Sequence, residues 1–171
     1  MKHTISVLVE NRFGVLARIA GLFSARGFNI ESLAVGETED PEVSRMTIVV
    51  GGDERTLEQI KKQLNKLIDV IKVGDFTGKE FIEKELMLIK VAITAKNRNE
   101  VVEIADRATA EVVHLGSRSL SIEAVGDSKK IHSLIEALKP FGILEVVRTG
   151  RIAISVDDKE MKAKGKPEVN E

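Results

Sequence analysis

The residues best suited to hold a ligand lie in the turn at residues 10–14, just before a stretch whose apolar residues recur at helical spacing. The first amides of a helix have no acceptor within the helix and carry partial positive charge, which suits a small carboxylate. Gly14 has no side chain that would block approach to those amides. The turn therefore predicts a site for the carboxylate end of a small molecule.

Two asparagines and neighbouring apolar residues complete a candidate site for a hydrophobic amino acid. Asn11 in the turn and Asn29 after the same helix can each offer an amide oxygen to an ammonium group. Leu16 and Ile30 offer apolar contacts to the ligand's side chain, and Val15 adjoins the same helix start. On the residues alone a second interpretation stays open, in which the first asparagine only caps the helix and the glycine only eases the turn.

Residues suited to catalysis or metal binding do not converge anywhere in the sequence. His3, His114 and His132 are far apart, and no carboxylate stands at metal-ligand spacing from any of them. The serines lack a nucleophile-elbow context, and Gly51-Gly52 is not followed by the pattern of a phosphate loop. With no cysteines, thiolate chemistry and disulfides are excluded. We therefore expect no catalytic residues and no metal in this chain.

Composition and charge indicate a globular protein that binds neither nucleic acid nor membrane. The 26 basic and 27 acidic residues are well mixed along the chain, so there is no basic footprint for DNA or RNA. No apolar run approaches the roughly 20 residues that span a bilayer, and no signal peptide is apparent. We expect a cytoplasmic location. Aromatic residues are only 4%, so the core must consist of Val, Ile and Leu.

The elements that position the candidate site form a strand–helix–strand–strand–helix–strand unit. Alternating residues predict strands at 4–10, 28–35, 45–50 and 70–76. Apolar residues at helical spacing predict a first helix that stops at Gly27 and a second that starts at Asp53 and keeps its period to Ile68.

The same order of elements returns after a polar stretch at 77–84 that is typical of a linker. Strands are predicted at 86–93, 111–115, 120–125 and 143–148, with helices at 99–108 and after Gly126-Asp127. We therefore expect a first domain at 1–78, a linker at 79–84, a second domain at 85–157 and a charged, disordered tail at 158–171. The predicted fold class is α+β, with two ferredoxin-like βαββαβ domains, each an antiparallel sheet with two helices on one face.

Four segments resemble the signatures of acetolactate synthase (acetohydroxyacid synthase) small regulatory subunits. They are LVENRFGVL at 8–16, GLFSARGFNIESL at 21–33, SRMTI at 44–48 and LEQIKKQLNKL at 57–67. The resemblance extends over nearly the whole chain, with weaker motifs beyond Val91. It implies that the first domain is an ACT domain, the ferredoxin-like module that senses amino acids.

The resemblance also implies a function. Members of this family activate a separate large catalytic subunit and confer feedback inhibition by valine, or by leucine or isoleucine, in branched-chain amino acid biosynthesis. They have no activity and no cofactor themselves; thiamine diphosphate, Mg and FAD are expected on the catalytic partner. The family associates effector binding with the positions of Asn11, Gly14 and Asn29.

Pairing of ACT domains across a two-fold axis implies a homodimer with its effector sites at the interface, where Asn11 and Gly14 of one chain face Asn29 of the other. Two alternatives stay open. A stand-alone amino-acid-sensing ACT protein with a different partner lacks support from any helix-turn-helix segment or basic stripe. A small acylphosphatase-like enzyme would need more than the adjacent Asn11 and Arg12.

Overall fold

The computed structural model describes residues 1–157, and the first sheet of the chain carries the candidate site. Its strands are β1 (Lys2–Glu10), β2 (Ile30–Glu37), β3 (Val43–Gly51) and β4 (Val70–Asp75), all antiparallel in the order β2-β3-β1-β4. Helix α1 (Val15–Ser24) joins β1 to β2, and helix α2 (Glu54–Leu64) joins β3 to β4. Strand β2 is thus an edge strand of this sheet.

The core of this unit lies between one face of the sheet and the two helices. Alternate residues of β1 enter it, and the helices contribute residues at spacings of three and four, as an amphipathic helix requires. The fully buried members include Ile5, Val7, Ile19, Phe23, Ile48, Ile60 and Leu64.

A second unit repeats this order of elements. Its strands are β5 (Phe81–Ala92), β6 (Glu111–Leu115), β7 (Ser119–Gly126) and β8 (Ile143–Arg148), in the order β6-β7-β5-β8, and a short β9 (Ile152–Ser155) also pairs with β5. Helices α3 (Arg98–Arg107) and α4 (Ser128–Leu138) cover its core, which includes Met87, Ile89, Val101, Leu120, Ile122 and Ile131.

The predicted fold class is confirmed: both units are βαββαβ arrangements with antiparallel sheets. The chain divides into two compact units, one with Met1–Ile82 and the described residues from Ala153 on, the other with Glu83–Ile152. The predicted tail at 158–171 lies outside the described residues. Within residues 1–157, no helix has the length and apolar character that crossing a membrane requires.

Several predicted boundaries in the first unit were wrong, among them the end of α2 and the start of β2. Helix α2 ends at Leu64, because after Asn65 the amides bond three residues back, Lys66 to the Gln63 carbonyl and Leu67 to that of Leu64. Strand β2 begins two residues later than position 28. Phe28 instead closes the turn that follows α1, since its amide donates to the Phe23 carbonyl at 3.0 Å.

In the second unit, strand β5 begins at Phe81, inside the stretch that its polarity predicts to be a linker. Two carboxylates of this strand, Glu83 within the stretch and Glu85 just after it, are largely buried and pair with arginines. Glu85 is bonded to Arg148, and Glu83 lies 2.9 Å from Arg151. Polar residues therefore continue the strand here because partners distant in the sequence neutralise them.

Candidate functional site

The start of α1 is an open helix terminus, and Gly14 makes it so. Gly14 is the N-cap in a left-handed conformation, with φ 81° and ψ −6°, and no side chain caps the helix. The first bond of the helix runs from the Arg18 amide to the Gly14 carbonyl at 3.0 Å. The amides of Leu16 and Ala17 therefore point out of the helix start, where they can meet an anion.

Asn11 does not cap this helix, so the alternative interpretation of that residue was wrong. Its Nδ2 donates to Glu37 Oε1 at 3.0 Å and to the Pro41 carbonyl at 2.9 Å, and its own amide bonds the Glu42 carbonyl. Both side-chain partners are acceptors, which fixes the orientation of the amide group. The oxygen Oδ1 is therefore the atom that can accept a bond from a ligand's ammonium group.

The other residues predicted near this helix start differ in exposure. Val15 is 3% exposed and packs in the core, so only its backbone can reach a ligand, and its amide already bonds the Arg12 carbonyl at 3.3 Å. Leu16 is 43% exposed and can supply an apolar contact. Phe13, which the sequence did not single out, is fully exposed at the tip of the turn.

Asn29 and Ile30 lie at the opposite end of the sheet. Ile30 pairs with Val50, which in turn pairs with His3 at the start of β1, whereas Asn11 follows the end of that strand. Seven residues of strand separate His3 from Glu10, or about 23 Å. A single amino acid cannot touch both asparagines of one chain. Asn29 is exposed, and Ile30 packs partly against the core.

Arg18 is a residue of this region that the sequence analysis missed. Its guanidinium lies beside the turn, with Nη1 3.4 Å from the point where a Cβ on residue 14 would stand. Its Nε donates to Asp69 Oδ2 at 2.8 Å. The spacing from residue 14 to residue 18 is one helical turn, a signal that could have drawn attention to the arginine.

The starts of α2 and α4 are closed, in contrast to that of α1. Asp53 accepts from the Thr56 amide and Asp127 from the Lys130 amide, each at 2.8 Å. The Thr56 hydrogen bonds lower the pKa of Asp53, which keeps that capping carboxylate charged. These helix starts use their own side chains for the role that a ligand would play at α1.

The histidines and acidic residues form no candidate centre in the described part of the chain. His3 is buried and structural, with ring nitrogens bonded to Thr77 Oγ1 at 3.0 Å and to the Gly52 carbonyl at 3.1 Å. Within residues 1–157, no three His, Asp or Glu side chains are grouped so that they could hold a metal ion.

Comparison with known protein families accounts for both units. Residues 5–72 match the family described as "AHAS small subunit-like ACT domain", and residues 84–157 match "Small subunit of acetolactate synthase". The candidate helix start lies within the first of these matches.

Individual relatives agree with the family matches. A probable acetolactate synthase small subunit of Archaeoglobus fulgidus is 51% identical over 154 residues, which cover 90% of this chain and 96% of the relative. An acetolactate synthase small subunit of Mycobacterium bovis is 50% identical over 153 residues, 90% of this chain and 91% of the relative. The crystal structure of the small subunit from Thermotoga maritima matches with a TM-score of 0.82 at 36% identity, covering 90% of this chain and 96% of that one.

Proposed function

Because the chain belongs to the family of acetolactate synthase small subunits, we propose that it is the subunit through which a branched-chain amino acid inhibits the large catalytic subunit. Valine is the proposed effector, with leucine and isoleucine as close competitors. The observation that carries the proposal is the open start of α1, with Gly14 in a left-handed conformation and with the Nδ2 of Asn11 engaged by two acceptors, so that Oδ1 is the atom available to a ligand. The helix amides receive the carboxylate, and the asparagine receives the ammonium group.

The proposed site needs two copies of the chain, because Asn11 and Asn29 lie at opposite ends of one sheet. Strand β2 is an edge strand, and its last residue, Glu37, accepts a hydrogen bond from Asn11. Antiparallel pairing of two β2 strands about a two-fold axis near Leu33 brings Asn29 of a second copy beside Glu37, and hence beside Asn11 of the first. The same pairing covers an edge that would otherwise invite aggregation.

The strength of binding expected from these groups suits a metabolite. A helix terminus contributes about 0.3–1 kcal/mol towards an anion at an exposed site, and hydrogen bonds to charged groups about 1.5–3 kcal/mol. Allosteric coupling typically needs about 1–3 kcal/mol, which a ligand that favours one dimer arrangement can supply. One methylene in an apolar pocket changes binding by only about 1–3 kcal/mol, so neighbouring branched-chain amino acids compete.

We further propose that this chain regulates and does not catalyse. Residues 1–78 bind the effector and form the dimer, and the second unit contributes to binding of the catalytic subunit. Thiamine diphosphate, Mg and FAD belong to that partner. The proposal draws support from the relatives, which carry the name of acetolactate synthase small subunit.

Acetolactate formation from pyruvate by the large subunit tests the proposal directly. The rate is measured with and without this chain, and each branched-chain amino acid is then titrated into the complex. We expect a higher rate with the chain present and inhibition by valine. The proposed function would be refuted if this chain did not change the rate of acetolactate formation, or if none of the three amino acids inhibited the complex.

The proposed dimer has its own test in a pair of edge-strand variants. Val35, half exposed on β2, is replaced by lysine, and Ile71 on the opposite edge strand β4 is replaced likewise as a control. Sedimentation then gives the mass, and calorimetry gives valine binding. We expect Val35→Lys to weaken both dimerisation and valine binding, and Ile71→Lys to weaken neither. The reverse pattern would place the interface on β4.

A further inference from the structure

Arg18 borders the space that Gly14 leaves empty at the start of α1. It lies one helical turn beyond the glycine, so both residues share a face of the helix. Its Nη1 is 3.4 Å and its Cζ 3.9 Å from the position of a Cβ on residue 14. A carboxylate held by the amides of this helix start therefore comes within reach of a guanidinium group.

Asp69 holds this guanidinium in place. The Arg18 Nε donates to Asp69 Oδ2 at 2.8 Å, and the carboxylate side chain is only 11% exposed whereas the arginine is 50% exposed. The backbone of Asp69 is fixed as well, since its carbonyl accepts from the Glu10 amide at 2.9 Å. The anchor uses the Nε–H alone, and the two terminal nitrogens keep four N–H groups in a planar fork that matches a carboxylate.

We infer that Arg18 recognises the carboxylate of the effector and that Asp69 is its positioning residue. The inference rests on the proposed effector site and deepens it, because it names the charged group that selects a free amino acid over an uncharged analogue. A purely structural role for Arg18, linking α1 to the segment before β4, explains the hydrogen bond from its Nε to Asp69. Such a role does not explain why Nη1 lies beside Gly14.

The test is Arg18→Gln in the complex with the large subunit, inhibited by valine or by valinamide. Valinamide keeps the ammonium group and the side chain but has a neutral amide in place of the carboxylate. We expect the variant to need about 10- to 100-fold more valine for half-inhibition, as the loss of a charge-assisted contact implies. We expect its response to valinamide to be nearly unchanged, so that the preference for the carboxylate disappears.

Three further variants separate recognition from folding. Arg12→Gln, in the same turn, removes an exposed arginine paired with Glu10 and serves as the control for net charge; it should respond as wild type. Arg18→Lys keeps the charge without the fork and should fall between wild type and Arg18→Gln. Asp69→Asn should shift the valine response in the same direction as Arg18→Gln, because it weakens the anchor.

The possible outcomes distinguish the inference from the proposed function. An Arg18→Gln complex as sensitive to valine as wild type would overturn the inference alone. So would an equal loss of response to valine and valinamide, which is the mark of a structural role. If the wild-type complex is inhibited by no branched-chain amino acid, the proposed function and this inference fall together.

Discussion

Replacing Gly14 with aspartate is expected to remove feedback inhibition while the chain still folds and activates its partner. At φ 81° an L-residue is strained by about 1–2 kcal/mol, and aspartate is among the residues that tolerate this region best. A Cβ would meet Arg18 atoms at 3.4 and 3.9 Å, which are ordinary contact distances. The expected loss of about 1 kcal/mol is small beside the stability of roughly 5–15 kcal/mol of a typical protein.

The effect on the ligand is expected to be much larger. The new carboxylate would lie beside the Arg18 guanidinium and the first amides of α1, which is the place that the proposed function gives to the ligand's own carboxylate. Losing one hydrogen-bonded charge contact costs about 1.5–3 kcal/mol, which corresponds to roughly 10- to 150-fold in affinity. Repulsion between the two carboxylates adds to this loss. The valine concentration for half-inhibition should therefore rise by about 100-fold or more.

The assay is acetolactate formation with and without valine, and Gly27→Asp is its matched control. Gly27 follows the other end of the same helix and also has a left-handed backbone, with φ 69°. Among the described residues other than its two chain neighbours, none has an atom within 4 Å of the position that a Cβ on residue 27 would take. The two variants thus share the substitution, the added charge and the type of strain. If Gly14→Asp keeps wild-type sensitivity to valine, or if Gly27→Asp loses as much, the proposed site is wrong.

Two stability predictions concern charged pairs outside the site. Arg148→Met should lower the free energy of unfolding by about 3–5 kcal/mol in urea titrations, because it leaves the Glu85 carboxylate, which is 5% exposed, without its partner. Lys90→Met breaks the pair of Lys90 with Glu145, whose side chains are 42% and 59% exposed, and should lower the free energy of unfolding by at most about 1 kcal/mol. Equal losses in the two variants would refute this reasoning. Burial acts to raise the pKa of Asp75, but hydrogen bonds from Thr77 and Lys61 outweigh it and bring the pKa below the ordinary value of 3.8. The charged form is therefore favoured in the folded state, so its stabilising effect is present above pH 3.8 and is lost as the pH falls through the lowered pKa. Stability measured against pH should fall less steeply below pH 4 in Asp75→Asn than in wild type, and identical slopes would count against the assignment.

The fold was predictable from the sequence because its core follows regular periods. Ile5, Val7 and Val9 alternate along β1, and Ile60 and Leu64 lie one helical turn apart on α2, so the pattern alone identifies the buried face of each element. The turn chemistry around Gly14 was also visible, because glycine before an amphipathic helix has few structural reasons other than its backbone freedom.

The parts that were missed depend on contacts between residues distant in the sequence. Polarity at 77–84, which includes Glu83, indicated a linker, since nothing local shows that Arg151 neutralises this carboxylate. The orientation of Asn11 follows in the same way from Glu37 and the carbonyl of Pro41, which lie 26 and 30 residues away. Local pattern therefore predicts the elements, while the chemistry of the site depends on how they are brought together.

The second unit shows why the same architecture need not form the same site. At the start of α3, where α1 has Gly14, the N-cap is Asn97, and its Oδ1 accepts from the Thr94 amide at 2.6 Å. The Thr94 hydroxyl in turn accepts from the Asn97 amide at 3.3 Å. Each side chain thus accepts from the other residue's backbone amide, and residue 97 has a side chain where the first unit has glycine. On the proposed function, an effector site needs both an uncapped helix start with a glycine and a cation beside it, and among the described residues Gly14 and Arg18 supply the two.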